Sequence, residues 1–244
     1  MENPEIWLRT ICKRNGLSAD DRMLTLMSDY VRLLLEWNQK INLISRKDEA
    51  NVWENHILHS ISLLFKVRLA EGSKVLDLGT GGGLPGIPLS ILCPSLSFTL
   101  LDATQKKVNA VEDMTNRLGI SNVETHWGRA EDLAGNKLFQ KKFDYVVARA
   151  VAPLQDLFRL ATPLLVSGSG KKHSWNKSGS AAASPVAPPA LVTLKGGLLD
   201  KELQEFQRES NGAFVTVTNL VFEGSEQVLA SDKKIVVVSP KNGA

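Results

Sequence analysis

The segment Val75–Pro88, VLDLGTGGGLPGIP, limits the possible folds more than any other part of the chain. An apolar stretch runs directly into a turn rich in glycine, and a second apolar stretch, Phe98–Asp102, ends on an acid. Glycines let a backbone approach a ligand closely, and an acid at the end of the following strand accepts hydrogen bonds from ribose hydroxyls. The pattern therefore predicts an α/β fold that binds an adenosine-containing cofactor.

A dinucleotide is one candidate for this cofactor. A Gly-x-Gly-x-x-Gly pattern begins at Gly81, but the preceding strand, VLDL, ends just before Gly79, which should then be the first glycine, so the register is poor. Pro85 and Pro88 also lack the N–H groups that a pyrophosphate needs at the start of a helix. Both features disfavour a dinucleotide.

S-adenosylmethionine (SAM) is the favoured candidate. The turn reads Asp77-x-Gly79-x-Gly81-x-Gly83, which is typical of enzymes that use SAM. SAM has no phosphates, but it has a charged amino acid end and a sulfonium, and Asp77 suits such a cationic ligand. A glycine-rich turn that binds no cofactor is the remaining alternative.

Bulk properties narrow the class of protein. A length of 244 residues predicts one core domain with an appended element, and a hydrophobic content of 43% is ample for its core. No run reaches the ~20 apolar residues of a membrane span, and the N-terminus does not resemble a secretion signal. Two cysteines imply neither a disulfide framework nor a metal site. We therefore expect a cytoplasmic protein without a membrane or metal partner, and its net charge of +3 permits a polyanionic one.

Periodicity divides the chain into two parts. Residues 1–70 form a predicted helical extension, in which a helix starts near Ser18 and Asn51 caps another that runs to about residue 67. Residues 71–244 alternate between strands and helices, which predicts a mostly parallel, Rossmann-like sheet of seven strands. The predicted strands cover 74–78, 97–101, 122–126, 143–148, 191–195, 214–221 and 234–239. The last two follow a helix at about 199–208 and predict an antiparallel partner at one edge.

Two further features of the sequence are interpreted structurally. His56 and His59 lie on one face of a predicted helix, and without further ligands nearby we expect packing or surface roles instead of a metal pair. Residues 167–190 consist mainly of Ser, Gly, Ala and Pro with a few basic residues. Such a composition buries little apolar surface, so it predicts a flexible insertion in the second domain.

Several other polar residues follow predicted strands, where ligands bind in open α/β sheets. Ala130 and Glu131 come after the third strand, where a small residue and an acid suit an adenine ring; Glu131 as a helix-start acid is the alternative. The same alternative applies to Asp102.

Two basic residues also end strands. Arg149 ends the fourth strand, where a buried guanidinium is costly unless it meets a ligand or an ion-pair partner. Lys195 ends the fifth strand before two glycines and could contact an RNA phosphate or a substrate base. A plain strand-end lysine is the alternative for Lys195.

In order along the chain, these motifs resemble the bacterial small-subunit ribosomal RNA guanine-N7 methyltransferases, also known as the glucose-inhibited division protein B family. The matching segments are WNQKINLIS (37–45), HILHS (56–60), DLGTGGGLPGIP (77–88), LLD (100–102), ARAVAPL (148–154) and LKGG (194–197). Five or more ordered motifs are far more specific than one glycine turn. The main departure is the 167–190 insertion.

The resemblance implies an enzyme that methylates N7 of one guanosine in 16S rRNA. We expect the substrate to be free rRNA or an assembling small ribosomal subunit, and we expect the protein to be a monomer. The resemblance also implies a set of residues that contact SAM. Asp77 and Gly81 of the glycine turn are already predicted to bind the cofactor. The implied SAM contacts are Gly79, Leu84, Ala130, Glu131 and Arg149, with Asp102, Ala103 and Thr104 on the ribose and adenine side. The implied catalytic and RNA contacts are Arg149, Lys195, Arg129 and Lys106.

The expected chemistry agrees with this resemblance. Guanine N7 has a lone pair and no proton, so direct displacement at the methyl group needs no general base, only alignment. Two other classes stay open: an enzyme that methylates a small molecule, and a non-catalytic RNA-binding factor of ribosome assembly.

Overall fold

The computed structural model describes residues 3–149, 152–167, 174–176, 179–210, 212–224 and 232–241. The strands are β1 (Val67–Arg68), β2 (Lys74–Leu78), β3 (Ser97–Asp102), β4 (Val123–Trp127), β5 (Tyr145–Arg149), β6 (Ser184–Pro185), β7 (Ala190–Gly196), β8 (Phe214–Asn219) and β9 (Lys233–Ser239). The α-helices are α1 (Pro4–Arg14), α2 (Asp21–Asn38), α3 (His59–Ile61), α4 (Leu63–Lys66), α5 (Gly86–Leu92), α6 (Gln105–Leu118), α7 (Ala130–Gly135), α8 (Leu154–Ala161) and α9 (Asp200–Glu209). A 3₁₀ helix covers Arg46–Asn51 and a π-helix covers Trp53–Leu58.

The main sheet has seven strands in the order β4-β3-β2-β5-β7-β9-β8. The first five run parallel to one another, and β9 runs antiparallel to both of its neighbours. This confirms the predicted Rossmann-like sheet. The carboxyl ends of the parallel strands share one edge, and this edge carries the glycine turn, Asp102, Arg149 and Lys195.

The last two strands form the expected antiparallel pair at one edge of the sheet, and the strand that runs against all the others is β9. It lies inside the sheet, between β7 and the edge strand β8. Burial explains the order, because Ile235–Val238 of β9 are buried while most residues of β8 are exposed. A strand that is apolar on both faces belongs in the interior of a sheet.

Side chains that alternate along the strands pack into two apolar layers, one on each face of the sheet. Helices α1 to α6 cover one face, where Tyr30 and Leu34 of α2 share a core with Phe98 and Val147 of the sheet. Helices α7, α8 and α9 cover the other face. The N-terminal helices are therefore part of the main core, and the division of the chain at residue 70 stays a prediction.

The helical run before β1 differs from the prediction. Asn51 does not cap a helix; it ends the 3₁₀ helix, whose cap is Ser45, with Oγ accepting from Lys47 N at 3.3 Å. The chain then passes through the π-helix into two short α-helices. Ser45 lies outside the apolar periodicity on which the prediction rested.

Part of the 167–190 insertion packs against the sheet. Strand β6 pairs in parallel with β1, and Val186 O accepts a hydrogen bond from Tyr145 Oη at 2.6 Å. Ala183 and Val186 are buried. These residues contradict the expectation that the segment buries little apolar surface. A few small apolar side chains are enough to hold part of it against a core that the rest of the chain forms. Residues 168–173 and 177–178 lie outside the described ranges.

Candidate functional site

The glycine turn between β2 and α5 is held against the end of β3. Gly79 and Gly81 have φ angles of 76° and 58°, which favour glycine. The amides of Gly79 and Thr80 both donate to Leu101 O at 2.9 Å. A Cβ on Gly81 would meet no atom within 4 Å, so this side of the turn is open to a ligand. Leu84 closes the turn, and its side chain is buried.

Asp77 lies beneath this turn and is fully buried. Its Oδ2 accepts from Thr80 Oγ1 at 2.7 Å and from Gly86 N at 2.8 Å, while Oδ1 has no hydrogen-bond partner in the described part of the chain. Burial raises the pKa of this carboxyl to about 6, against the lowering effect of the two hydrogen bonds and of Arg149. Asp77 was predicted to contact the ligand directly. In the structure its Oδ2 instead accepts hydrogen bonds from the turn itself.

Asp102 ends β3 and joins the glycine turn to the start of α6. Its Oδ2 accepts from Gly81 N at 2.9 Å and its Oδ1 accepts from Thr104 N at 2.8 Å. Ala103 and Thr104 follow as exposed residues. The carboxylate thus fixes two backbone segments that border the open side of the turn, where a ribose would lie.

Trp127 is a residue of this edge that the sequence analysis missed. It is the last residue of β4 and pairs with Asp102 in the register. Its indole Nε1 donates to Ala103 O at 3.1 Å, and the residue is 56% exposed. An exposed aromatic at the carboxyl end of a strand was the available signal.

The residues after β4 lie on the same side. Gly128 N donates to Asp102 O at 3.1 Å, which brings the start of α7 towards the end of β3. Ala130 is buried, whereas Glu131 and Arg129 are exposed. Lys106 is exposed in the first turn of α6.

Arg149 ends β5 and is largely buried. Its Nη1 donates to Asn55 O at 3.3 Å, and its Nη2 lies 3.1 Å from His56 Nδ1. Within the described ranges no carboxylate lies within ion-pair distance of it, so the alternative of a structural ion pair finds no partner there. Burial lowers its pKa, while Tyr30, Asp77 and Asp48 oppose that shift. The guanidinium therefore presents a partly buried positive charge at the edge of the sheet where the parallel strands end.

A cleft of about 670 Å³ opens between the ends of β5 and β7 and helix α9. Its lining includes cationic, acidic and apolar side chains. The lining residues are His59, Arg149, Ala152, Pro153, Leu194, Lys195, Gly196, Leu198, Lys201, Glu202, Glu205 and Lys233. His59 is buried, and burial lowers its pKa to about 3, so it is neutral. His56 and His59 do pack as expected, but they do so against the site.

Lys195 is already paired in this cleft. Its Nζ lies 2.7 Å from Glu202 Oε1 and donates to Ala152 O at 2.7 Å. Only 13% of its side chain is exposed. In this conformation Glu202, seven residues further along the chain, neutralises Lys195, so a contact of Lys195 with RNA stays a prediction that requires this ion pair to open.

The predicted basic contacts do not form one cluster. Arg129 follows β4 and Lys195 ends β7, and three strands lie between these two in the sheet. At about 4.8 Å per strand, the two strands are roughly 19 Å apart. Lys106 follows β3 and is close to the Arg129 side. These residues cannot all surround the same base.

Metal binding and thiol chemistry find no support in the described residues. They contain no group of three or more His, Cys, Asp or Glu residues arranged to hold a metal ion. Cys12 and Cys93 are buried, and burial raises the pKa of each thiol to about 12. Across the described ranges, no helix is both long enough and apolar enough to span a bilayer.

Comparison with known proteins agrees with this geometry. The chain is 43% identical over 202 residues to the ribosomal RNA small subunit methyltransferase G of Chlorobium luteolum, covering 83% of this chain and 74% of the relative. It is 38% identical over 239 residues to the protein of the same name from Chlorobaculum tepidum, covering 97% and 99%. A solved structure described as a predicted O-methyltransferase from Agrobacterium tumefaciens matches 75% of this chain and 79% of its own, with a TM-score of 0.50 and 15% identity, which supports the fold.

A family model for rRNA small subunit methyltransferase G, named GidB, matches residues 23–172, from α2 into the insertion. This range contains the glycine turn, Asp102 and Arg149. The chain therefore belongs to the rRNA small subunit methyltransferase G (GidB) family.

Proposed function

We propose that this protein transfers the methyl group of SAM to N7 of one guanosine in 16S rRNA. The observation that carries the proposal is Arg149, a partly buried guanidinium that has no carboxylate partner among the described residues and that lies at the same edge of the sheet as the open glycine turn. Partial burial of a cation is costly until an anion joins it. The α-carboxylate of the methionine part of SAM is such an anion.

The residues around the turn fit SAM from end to end. The open side of Gly81 admits the cofactor against the backbone, and Asp102 borders the place of the ribose. Ala103, Thr104, Ala130 and Glu131 follow at the adenine side, where the exposed ring of Trp127 adds an apolar wall. Gly79 and Leu84 shape the turn at the methionine end.

The cleft beside Arg149 is where we place the target nucleotide. It opens at the ends of β5 and β7, next to the methionine end of the proposed cofactor site. Arg149, Lys201 and Lys233 give it positive charge, which suits an RNA backbone. Lys195 takes part in RNA binding if Glu202 releases it; Arg129 and Lys106 contact RNA further along the same edge of the sheet.

The transfer itself makes modest demands on the protein. The N7 lone pair forms the new bond to the methyl carbon while the carbon–sulfur electrons pass to sulfur, so the positive charge moves from sulfonium to the base. No proton leaves, so no residue need act as a base; the neutral His59 and the paired Lys195 are compatible with this. The chain aligns the two reactants and excludes water.

The target guanosine must be accessible to this cleft. N7 lies on the major-groove edge, which side chains cannot reach inside an A-form helix. The base therefore lies in a loop, or it turns out of its stack as the enzyme binds. We further propose that the protein acts as a monomer in the cytoplasm on free rRNA or on an assembling small subunit.

The test is methyl transfer from radiolabelled SAM to unmethylated 16S rRNA and to 30S particles, followed by strand cleavage specific for N7-methylguanosine. One cleavage site is the expected result, with the Arg149→Ala variant inactive but folded. Label in RNA without such cleavage would overturn the N7 assignment. Binding of SAM without any label in RNA would favour a small-molecule substrate, and no binding of SAM would favour a non-catalytic assembly factor.

A further inference from the structure

The orientation of Arg149 is set by two consecutive residues of the π-helix. Nη1 donates to the carbonyl oxygen of Asn55, and Nη2 meets the ring nitrogen Nδ1 of His56. Both contacts come from a segment about 93 residues earlier in the chain. A π-helix places consecutive groups differently from an α-helix and often marks a functional position.

The side chains of Asn55 and His56 both contact the carboxylate of Asp48. Asn55 Nδ2 donates to Asp48 Oδ1 at 3.0 Å, and His56 Nε2 lies 3.5 Å from Asp48 Oδ2. Asp48 belongs to the 3₁₀ helix that precedes the π-helix. Asp48 therefore contacts the side chains of both residues that meet the guanidinium, through a hydrogen bond to Asn55 and through a longer contact to His56 that lacks hydrogen-bond geometry.

The protonation state of His56 determines which of its ring nitrogens accepts a hydrogen bond and which carries the proton. Burial, together with Arg149, lowers the pKa of His56 to about 4, so the ring is neutral near pH 7. Nδ1 faces a donor and must accept, so the ring proton is on Nε2, which faces Asp48. The carboxylate of Asp48, 3.5 Å from Nε2, favours by its charge the same tautomer, which can accept from Arg149.

We infer that Asp48 is a positioning residue that sets Arg149 for its anionic ligand, acting through Asn55 and His56. The inference rests on the proposed role of Arg149 in binding the SAM carboxylate. A carboxylate in direct contact would neutralise the guanidinium and compete with the ligand. Asp48, which reaches Arg149 only through Asn55 and His56, orients the guanidinium without touching it. The other N–H groups of Arg149 then make no hydrogen bond to the described residues.

Calorimetric titration with S-adenosylhomocysteine (SAH) tests the inference without any RNA. SAH keeps the carboxylate and ribose of SAM. We expect Asp48→Ala and His56→Leu to weaken SAH binding about tenfold. His56→Asn, which keeps an acceptor close to the position of Nδ1, restores part of this loss. In an Arg149→Ala background, Asp48→Ala causes no further loss, which distinguishes positioning of Arg149 from a general structural role.

A matched pair of variants controls for charge and folding. Asp48→Asn and Glu49→Gln each remove one negative charge from the same 3₁₀ helix, but Glu49 contacts Asn38, not Asn55 or His56. We expect Asp48→Asn to weaken SAH binding and Glu49→Gln to leave it within about twofold. These variants replace Asp48→Ala if that chain does not fold.

Two results would overturn the inference: unchanged SAH affinity in the Asp48 variants, or an equal loss with and without Arg149. Failure of the proposed function looks different. A wild-type protein that binds SAH but labels no rRNA removes the rRNA assignment and leaves the coupling measurable. A wild-type protein that does not bind SAH removes both.

Discussion

At the scale of single residues, the carboxylates of the site differ in what they do. Asp102 accepts backbone hydrogen bonds with both oxygens and stays next to the open side of the turn. Asp77 uses one oxygen for the turn and leaves the other buried and unpaired among the described residues. The first therefore bears on ligand binding and the second on stability.

The Asp102→Asn variant tests the first role. Both oxygens of Asp102 accept from N–H groups, so an amide must turn its NH₂ group towards either Gly81 N or Thr104 N. We expect SAH binding to weaken by about 1.5–3 kcal/mol, nearly as much as in Asp102→Ala. Calorimetric titration measures both variants. An Asn variant with wild-type affinity would show that the second oxygen is dispensable.

The Asp77→Asn variant tests the second role through pH. The carboxyl has an ordinary pKa of 3.8 and a folded pKa of about 6. Between these values the folded chain retains a proton that the unfolded chain has released, so the free energy of unfolding falls as the pH rises from about 4 to 6. The shift corresponds to about 3 kcal/mol.

Urea unfolding of both proteins at pH 4 and at pH 7 checks this. The wild type should lose more stability than Asp77→Asn as the pH rises across that interval, because the amide does not titrate. Parallel pH profiles for the two proteins would contradict the raised pKa. The other carboxyl groups cancel in the comparison.

At the scale of elements, α5 packs unusually close to β2 and β3. A Cβ on Gly86 would lie 2.2 Å from Leu100 Cδ2 and 2.6 Å from Asp77 Oδ2. We expect Gly86→Ala to destabilise the fold by about 1–3 kcal/mol, since strand and helix must move apart. Gly135→Ala is the control, because a Cβ there meets no atom within 4 Å. Equal denaturation midpoints for the two variants would contradict this packing argument.

The sequence predicted the positions of strands and helices better than it predicted contacts between side chains far apart in the chain. Strand β2 was placed correctly because its apolar run is local and the glycine turn marks its end. The ion pair of Lys195 was not predicted, because its partner, Glu202, lies on a separate helix. The contact between His56 and Arg149 was missed for the same reason: no periodicity links residues 93 positions apart.

At the scale of the whole molecule, the N-terminal helices both complete the core and reach the site. Tyr30 of α2 donates to Gly82 O in the glycine turn at 2.8 Å, and the π-helix contacts Arg149. Without these helices only α5 and α6 would cover this face, so Phe98 and Val147 would lose part of their apolar contacts. We therefore expect the N-terminal segment to contribute to both the stability of the fold and the geometry of the site.

A chain of residues 71–244 tests this dependence. We expect it to aggregate, or to melt without a cooperative transition by circular dichroism, because one face of the sheet keeps only α5 and α6 as its apolar cover. The matched control is the full chain with a protease site inserted beside Gly72, an exposed turn residue with a φ of 71°. Cut after folding, its two parts should stay together in gel filtration. A cooperative melt of 71–244 near that of the full chain would instead make the first 70 residues an accessory, and Arg149 would then need another means of orientation.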